Sequence, residues 1–238
     1  MKTRREFLGW MAGAVVVGTI MDAGKSACAT AVEAPEVLDH ILLGCADLQQ
    51  GIAFVEERTG VKAAFGGVHP GRGTQNALLS LGERHYLEII APDPQQSGDE
   101  HASRLKKMAS PELIGWAIHP GGLQDFASRL AKAGIVTQGP TPGSRKRPDG
   151  RTLEWATLAL QDDGNGVLPF SIEWGKGTVH PSVDAPKGCA LKKFWIESPK
   201  AEELAKRFAA MGVEVEVKQG EKARLRARMW GPKGELEL

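Results

Sequence analysis

Three times along the chain an apolar run of strand character leads into an amphipathic stretch of about a dozen residues. Each stretch ends in a glycine followed by a β-branched residue: Gly60-Val61, Gly134-Ile135 and Gly212-Val213. The glycines stand 74 and 78 residues apart, and each suits the left-handed conformation that closes a helix. Spacing this regular marks a repeated structural module, and the module constrains the fold more than any other feature.

The amphipathic stretches repeat with helical period. Leu48, Ile52 and Val55 line the first, Leu123, Phe126, Ala127 and Leu130 the second, and Leu204, Ala205, Phe208 and Met211 the third. Asp47 with Gln50 forms a capping box for the first helix, and Ser198 before Pro199 is expected to open the third. Short strands follow each helix: 77–81 and 86–91 in the first module, and 153–160 and 170–174 in the second. In the second module the turn-forming run Asp162-Asp163-Gly164-Asn165-Gly166 separates them. Glu100 to Ala109 reads as a connecting helix. Gly139 to Gly150, with Ser144-Arg145-Lys146-Arg147, reads as a long irregular loop suited to a lid or a solvated surface. The expected fold class is α+β: repeated βαβββ modules forming a curved, half-barrel sheet around a central pocket, with a third partial module at the C-terminus.

The first 29 residues read as an address. Arg4 and Arg5 precede an uncharged apolar run from Phe7 to Met21, and Ala27-Cys28-Ala29 follows with the small residues of a cleavage site. The pattern resembles a twin-arginine export signal. The run is shorter than the roughly 18 residues of a spanning helix, so a cleaved signal is expected, with no permanent membrane span and a periplasmic or otherwise exported product. The whole chain carries a formal charge of +1, and trimming the signal takes it to −1. Near-neutrality gives no reason to expect nucleic acid as a partner. Cys45 and Cys189 would remain, too far apart for a metal-site spacing and read as buried thiols.

Three polar residues interrupt otherwise apolar strands. His40 sits in VLDHILLG, with Leu38 and Leu42 expected on its side. A buried imidazole must be hydrogen-bonded or coordinating, because an unsatisfied buried polar group costs about 1 to 3 kcal/mol. Glu88 sits in YLEII on the face of Tyr86 and Ile90, and Glu173 sits in FSIEW near the end of the second module. One buried acid on a strand is unremarkable, whereas two at matching places in a repeat suggest a shared site.

A His on the first strand and a Glu on the last strand of such a module resembles the vicinal oxygen chelate superfamily, which includes lactoylglutathione lyase, extradiol dioxygenases and drug-sequestering resistance proteins. The runs DHILLGCADL, GGVHPGRGTQNALLSLG and YLEIIAPDP resemble its glyoxalase-like subgroup over roughly residues 36–180. The resemblance implies two paired modules in 36–180, and the repeat itself adds a C-terminal partial βαββ module in 188–238. The resemblance also implies a divalent metal ion (Zn, Ni, Mn or Fe) held by His40, Glu88 and Glu173. A fourth position is expected on LIGWAI, where Trp116 stands and no ligand is present.

By the same resemblance Glu88 and Glu173 are candidate catalytic groups. His69, Arg72, Thr74, Asn76, Tyr86 and Trp116 are candidate contacts to a small-molecule substrate. The implied activity is a metal-dependent lyase or isomerase working on a small oxygenated substrate through an enolate-like intermediate. Two other readings fit the same residues: a metal-free small-molecule binder using Trp116, Trp155, Trp174 and Tyr86, and an extradiol-type dioxygenase. The third module lacks a matching His and buried Glu. It is expected to cover a sheet edge within the chain or in a homodimer, with Glu214 and Glu216 facing Arg226 and Arg224 across a hairpin.

Overall fold

A computed structural model describes residues 33–161 and 166–238. The expected signal segment 1–29 and most of the Asp162–Gly166 turn lie outside the described residues. The first module runs β1 (Leu38–Gly44), α1 (Leu48–Thr59), β2 (Ala64–His69), β3 (Thr74–Ser80) and β4 (Tyr86–Pro92). After α2 (Glu100–Leu105) the second follows as β5 (Glu112–Ile118), α3 (Leu123–Lys132), β6 (Thr137–Lys146), β7 (Thr152–Leu160) and β8 (Phe170–Trp174). The chain then passes through α4 (Pro181–Asp184) to β9 (Ala190–Ser198), α5 (Ala201–Met211), β10 (Glu216–Gln219), β11 (Arg224–Gly231) and β12 (Gly234–Glu237).

The first two modules join in one curled sheet of eight strands, in the order β2-β3-β4-β1-β5-β8-β7-β6. Within each module the first strand runs parallel to the last, β1 with β4 and β5 with β8, and β1 pairs antiparallel with β5 to join the halves. The sheet is an α+β half-barrel. Its two terminal strands approach one another at Gly67, where an added Cβ would lie 2.9 Å from the carbonyl oxygen of Lys146. Gly67 has φ +141°, and with no side chain it lets the backbones of β2 and β6 come close.

Local rules account for the helix ends. Asp47 accepts from the Gln50 N–H at 2.9 Å, and Gly60 closes α1 at φ +80°. Ser198 does not cap α5. It is the last residue of β9, its hydroxyl accepts from the Lys200 N–H, and the helix begins at Ala201 without a side-chain cap. The run 139–146 is strand where a loop was expected: β6 pairs with β7 from Thr137 to Lys146, with an irregularity between Gln138 and Thr141 that absorbs the Gly139-Pro140 dipeptide.

The third module repeats the order of elements but not the pairing. Its sheet is β10-β9-β11-β12, with β10 parallel to β9. Because β9 lies between β10 and β11, the expected hairpin ladder does not form. Arg226 and Arg228 instead meet Glu237, and Glu216 meets Lys193. This module shares the core of the half-barrel through Phe194 of β9 and Phe208 of α5, whose rings lie 4.9 and 5.9 Å from that of Trp116. Its β11–β12 turn docks on α1 through the Lys233 N–H, which donates to the Thr59 carbonyl. Cys45 and Cys189 are both buried and free. No helix among the described residues is long and apolar enough to cross a membrane.

Candidate active site

The register of β1 decides what its polar residues face. Leu38 pairs with Ile118 and His40 with Ala117, so two residues of β1 oppose one step of β5, and Asp39 is the extra residue of a bulge. Leu38, Ile41 and Leu43 consequently face the apolar core, while His40 is on the other side. The expectation that Leu38 shares the side of His40 is corrected by this bulge, which re-aims the chain and brings Asp39 beside His40.

Asp39 is the hub of the resulting cluster. Its Oδ1 accepts from His40 Nδ1 at 2.6 Å, and its Oδ2 accepts from Trp174 Nε1 at 3.0 Å and from His180 Nε2 at 3.1 Å. Burial works to raise the pKa of this carboxylate, but the two imidazoles more than offset it and hold the group well below the ordinary aspartate range. An ionised Asp39 can only accept, so His40 Nδ1 is the donor in this pair, and Nε2 is left to face Glu88. That approach is 3.6 Å, to Glu88 Oε2. The ring of Tyr86, buried beside both, stacks on His40 with centroids 4.4 Å apart, and Phe170 closes the edge of the imidazole. Burial and the two neighbouring carboxylates raise the phenol of Tyr86 well above its usual value.

Glu88 is 8% exposed and His40 2%. Asn76 Nδ2 donates to Glu88 Oε1 at 2.7 Å and lies 3.3 Å from His69 Nε2, and the other nitrogen of His69 meets Thr74 Oγ1 at 2.9 Å. Burial pushes the Glu88 pKa upward, but His69, His40, the Asn76 amide and Arg145 together bring it below the ordinary glutamate value. Desolvation lowers that of His69, against the pull of Glu88. His40, His69, Thr74, Asn76, Tyr86 and Glu88 are therefore gathered in one place. Arg72 is not: it is exposed in the turn after β2.

Glu173 and Trp116 are also elsewhere, for one reason. The pairing of Ala117 with Phe170 in the second module is the counterpart of His40 with Tyr86 in the first. Two residues further along β8, the counterpart of Glu88 is Ile172, and Glu173 points to the opposite face. A one-residue offset on a strand reverses the side. Glu173 Oε2 accepts from the Leu123 N–H at 2.9 Å, serving the start of α3 where the N-cap is Gly122 and has no side chain to offer. Trp116, one residue before Ala117, is buried in the core and donates from Nε1 to the Val167 carbonyl.

These placements bear on the expected metal. The positions in the second half that would complete a centre shared between modules carry Ala117 and Ile172, and Glu173 is engaged with a helix. Among the described residues no three His, Cys, Asp or Glu side chains are placed to hold an ion. The residues do not fit the expected centre.

Three participants were not foreseen as site residues. Asp39 was visible next to His40, but ordinary alternation assigns it to the other face. His180 stands in a Pro-flanked turn and Arg145 in a basic run, both of which read as surface. Arg145 is in fact 4% exposed and donates from Nη1 to the Gly66 carbonyl across the β2–β6 seam.

A curled sheet of two βαβββ halves around a buried acid–imidazole cluster defines a glyoxalase-like protein. The glyoxalase-like domain family matches residues 38–212, and the chain belongs to that family. Among solved structures, a hypothetical protein from Staphylococcus aureus is similar at 13% identity, with a TM-score of 0.59 and 84% of each chain covered. Methylmalonyl-CoA epimerase from Mycobacterium tuberculosis aligns at 19% identity and a TM-score of 0.42, over 60% of this chain and 90% of its own. A variant of the Streptomyces coelicolor epimerase in complex with 2-nitronate-propionyl-CoA aligns at 18% and 0.43, over 60% of this chain and 97% of its own. No curated protein matches.

Proposed function

We propose that this chain is an isomerase- or lyase-type enzyme of the glyoxalase-like class that moves a proton beside the carbonyl of a small oxygenated substrate. The observation carrying this reading is the buried Asp39–His40–Glu88 array, with contacts of 2.6 and 3.6 Å. Glu88, kept ionised, is the base that removes the proton next to the carbonyl. His40 Nε2 is the second proton carrier on the same side, oriented by Asp39 through Nδ1. Removing that proton places negative charge on the carbonyl oxygen, and a dry site with fixed dipoles stabilises such charge better than water does. Tyr86 supplies one wall of that enclosure, and its phenol stays protonated.

The metal dependence implied by the superfamily resemblance is not part of this proposal, because the second half of the sheet presents apolar residues where ligands are needed. The proposed setting is an exported, periplasmic one, resting on the paired arginines and apolar run of the first 29 residues.

The test is loss of the carbon-bound proton to deuterated water, followed by proton NMR with hydroxyacetone, dihydroxyacetone and pyruvate as probes. Wild-type protein is expected to catalyse exchange with at least one of them. E88Q and H40N are each expected to lower the rate by about 10²- to 10⁴-fold, the range for losing a positioned acid or base. Exchange at wild-type rate in folded E88Q would overturn the assignment.

A further inference from the structure

Arg145 is not used by the proton-transfer array, yet it is the one buried residue of β6, whose other side chains are exposed or half-exposed. Its guanidinium reaches across the seam to the other edge of the sheet. There it lies against Gly66 and Gly67, so that an added Cβ at either glycine would come within 2.9 Å of Nη1. Its one hydrogen bond among the described residues is to the Gly66 carbonyl, and it forms no ion pair among them. A guanidinium carries five donors in a planar fork matched to a carboxylate, and a buried cation with so few partners is costly. The neighbouring arginines differ: Arg147 is tied to Asp184 and Asp149, and Arg151 to the same two carboxylates.

A second polar group lies near the same spot. Asn76 is 2% exposed, and its Oδ1 is buried without a hydrogen-bond donor. That oxygen would lie 2.4 Å from a Cβ at Gly66, the same point that Arg145 Nη1 approaches. Asn76 holds Glu88 with its amide nitrogen, and the charge of Arg145 acts on the same carboxylate.

We propose that Arg145 is the specificity-determining residue for the substrate, which carries a carboxylate in addition to its reacting carbonyl. The carboxylate takes the free donors of the guanidinium, and this sets the carbon between the two groups, or next to the ketone, against Glu88. The inference deepens the proton-transfer reading and rests on it for the position of the carbonyl, but its test reads binding and does not need turnover.

The probes are pyruvate and methyl pyruvate, which share one skeleton and differ in the carboxylate charge. Calorimetric titration of wild-type protein is expected to show pyruvate binding at least about tenfold more tightly, the scale of one charge-assisted pair. R145M is expected to abolish that preference while changing the affinity for methyl pyruvate by less than about twofold. R145K keeps the charge but not the fork and is expected to retain part of the preference. Equal affinities in the wild type, or full preference in folded R145M, would overturn the inference. Should R145M fail to fold, an unchanged preference in R145K would do the same. If pyruvate selectivity depends on Arg145 but no probe exchanges its protons, the proton-transfer reading falls and the anion site stands.

Discussion

Asp39→Asn tests the organisation of the site from its hub outward. In the wild type, Oδ1 faces one donor, His40 Nδ1, and Oδ2 faces two, from Trp174 and His180. Asparagine retains a single acceptor oxygen, which is best used at the position serving two donors. Its NH₂ group is then directed at His40 Nδ1, and the imidazole must move its proton to Nε2 to accept. Three charge-assisted hydrogen bonds thereby become neutral ones, offset in part because a charge no longer has to be buried, at a net cost of about 1.5 to 3 kcal/mol. For a chain of this size the melting temperature should fall by about 3 to 12 °C at pH 7.

The pH dependence follows from the direction of the shift. A carboxylate whose pKa is lower in the folded state stabilises fully above its unfolded value, near 3.8, and loses that contribution as pH falls toward the folded value. Urea unfolding at pH 7 and at pH 3 should thus show a gap between wild type and D39N that narrows at the lower pH. The variant should also slow proton exchange, because the imidazole beside the Glu88 base is no longer oriented by a carboxylate. A D39N protein that melts within about 1 °C of wild type at pH 7, or a gap unchanged at pH 3, would refute the bulge-centred account.

Two further substitutions separate structure from chemistry. Glu173→Ala removes the acceptor for the first N–H of α3 and should cost about 0.5 to 2 kcal/mol by thermal melting, with proton exchange unaffected; loss of exchange in a folded variant would return Glu173 to the site. Trp116→Ala empties a fully buried position between the half-barrel and the third module and should cost about 3 to 5 kcal/mol by urea denaturation, whereas a small loss would place the indole outside the core.

The module plan and its helices were legible in the sequence because they rest on local rules. Amphipathic spacing, an Asp N-cap and glycines in the left-handed region each involve a few neighbouring residues, and α1, α3 and α5 lie where those signals put them. The burial of His40 and Glu88 was equally readable, since a polar residue inside an apolar strand faces its consequences wherever the strand packs.

What the tertiary structure decided was which side each strand residue presents. The extra residue at Asp39 converts an adjacent pair into a hydrogen-bonded dyad, and a single position separates Ile172, on the site face, from Glu173, on the helix face. The burial of Arg145 depends on two strand edges distant in sequence coming together, and the third module takes a strand order that its repeated sequence plan does not contain. Periodicity determines that a strand has two faces; pairing with strands far along the chain determines which of them meets the site.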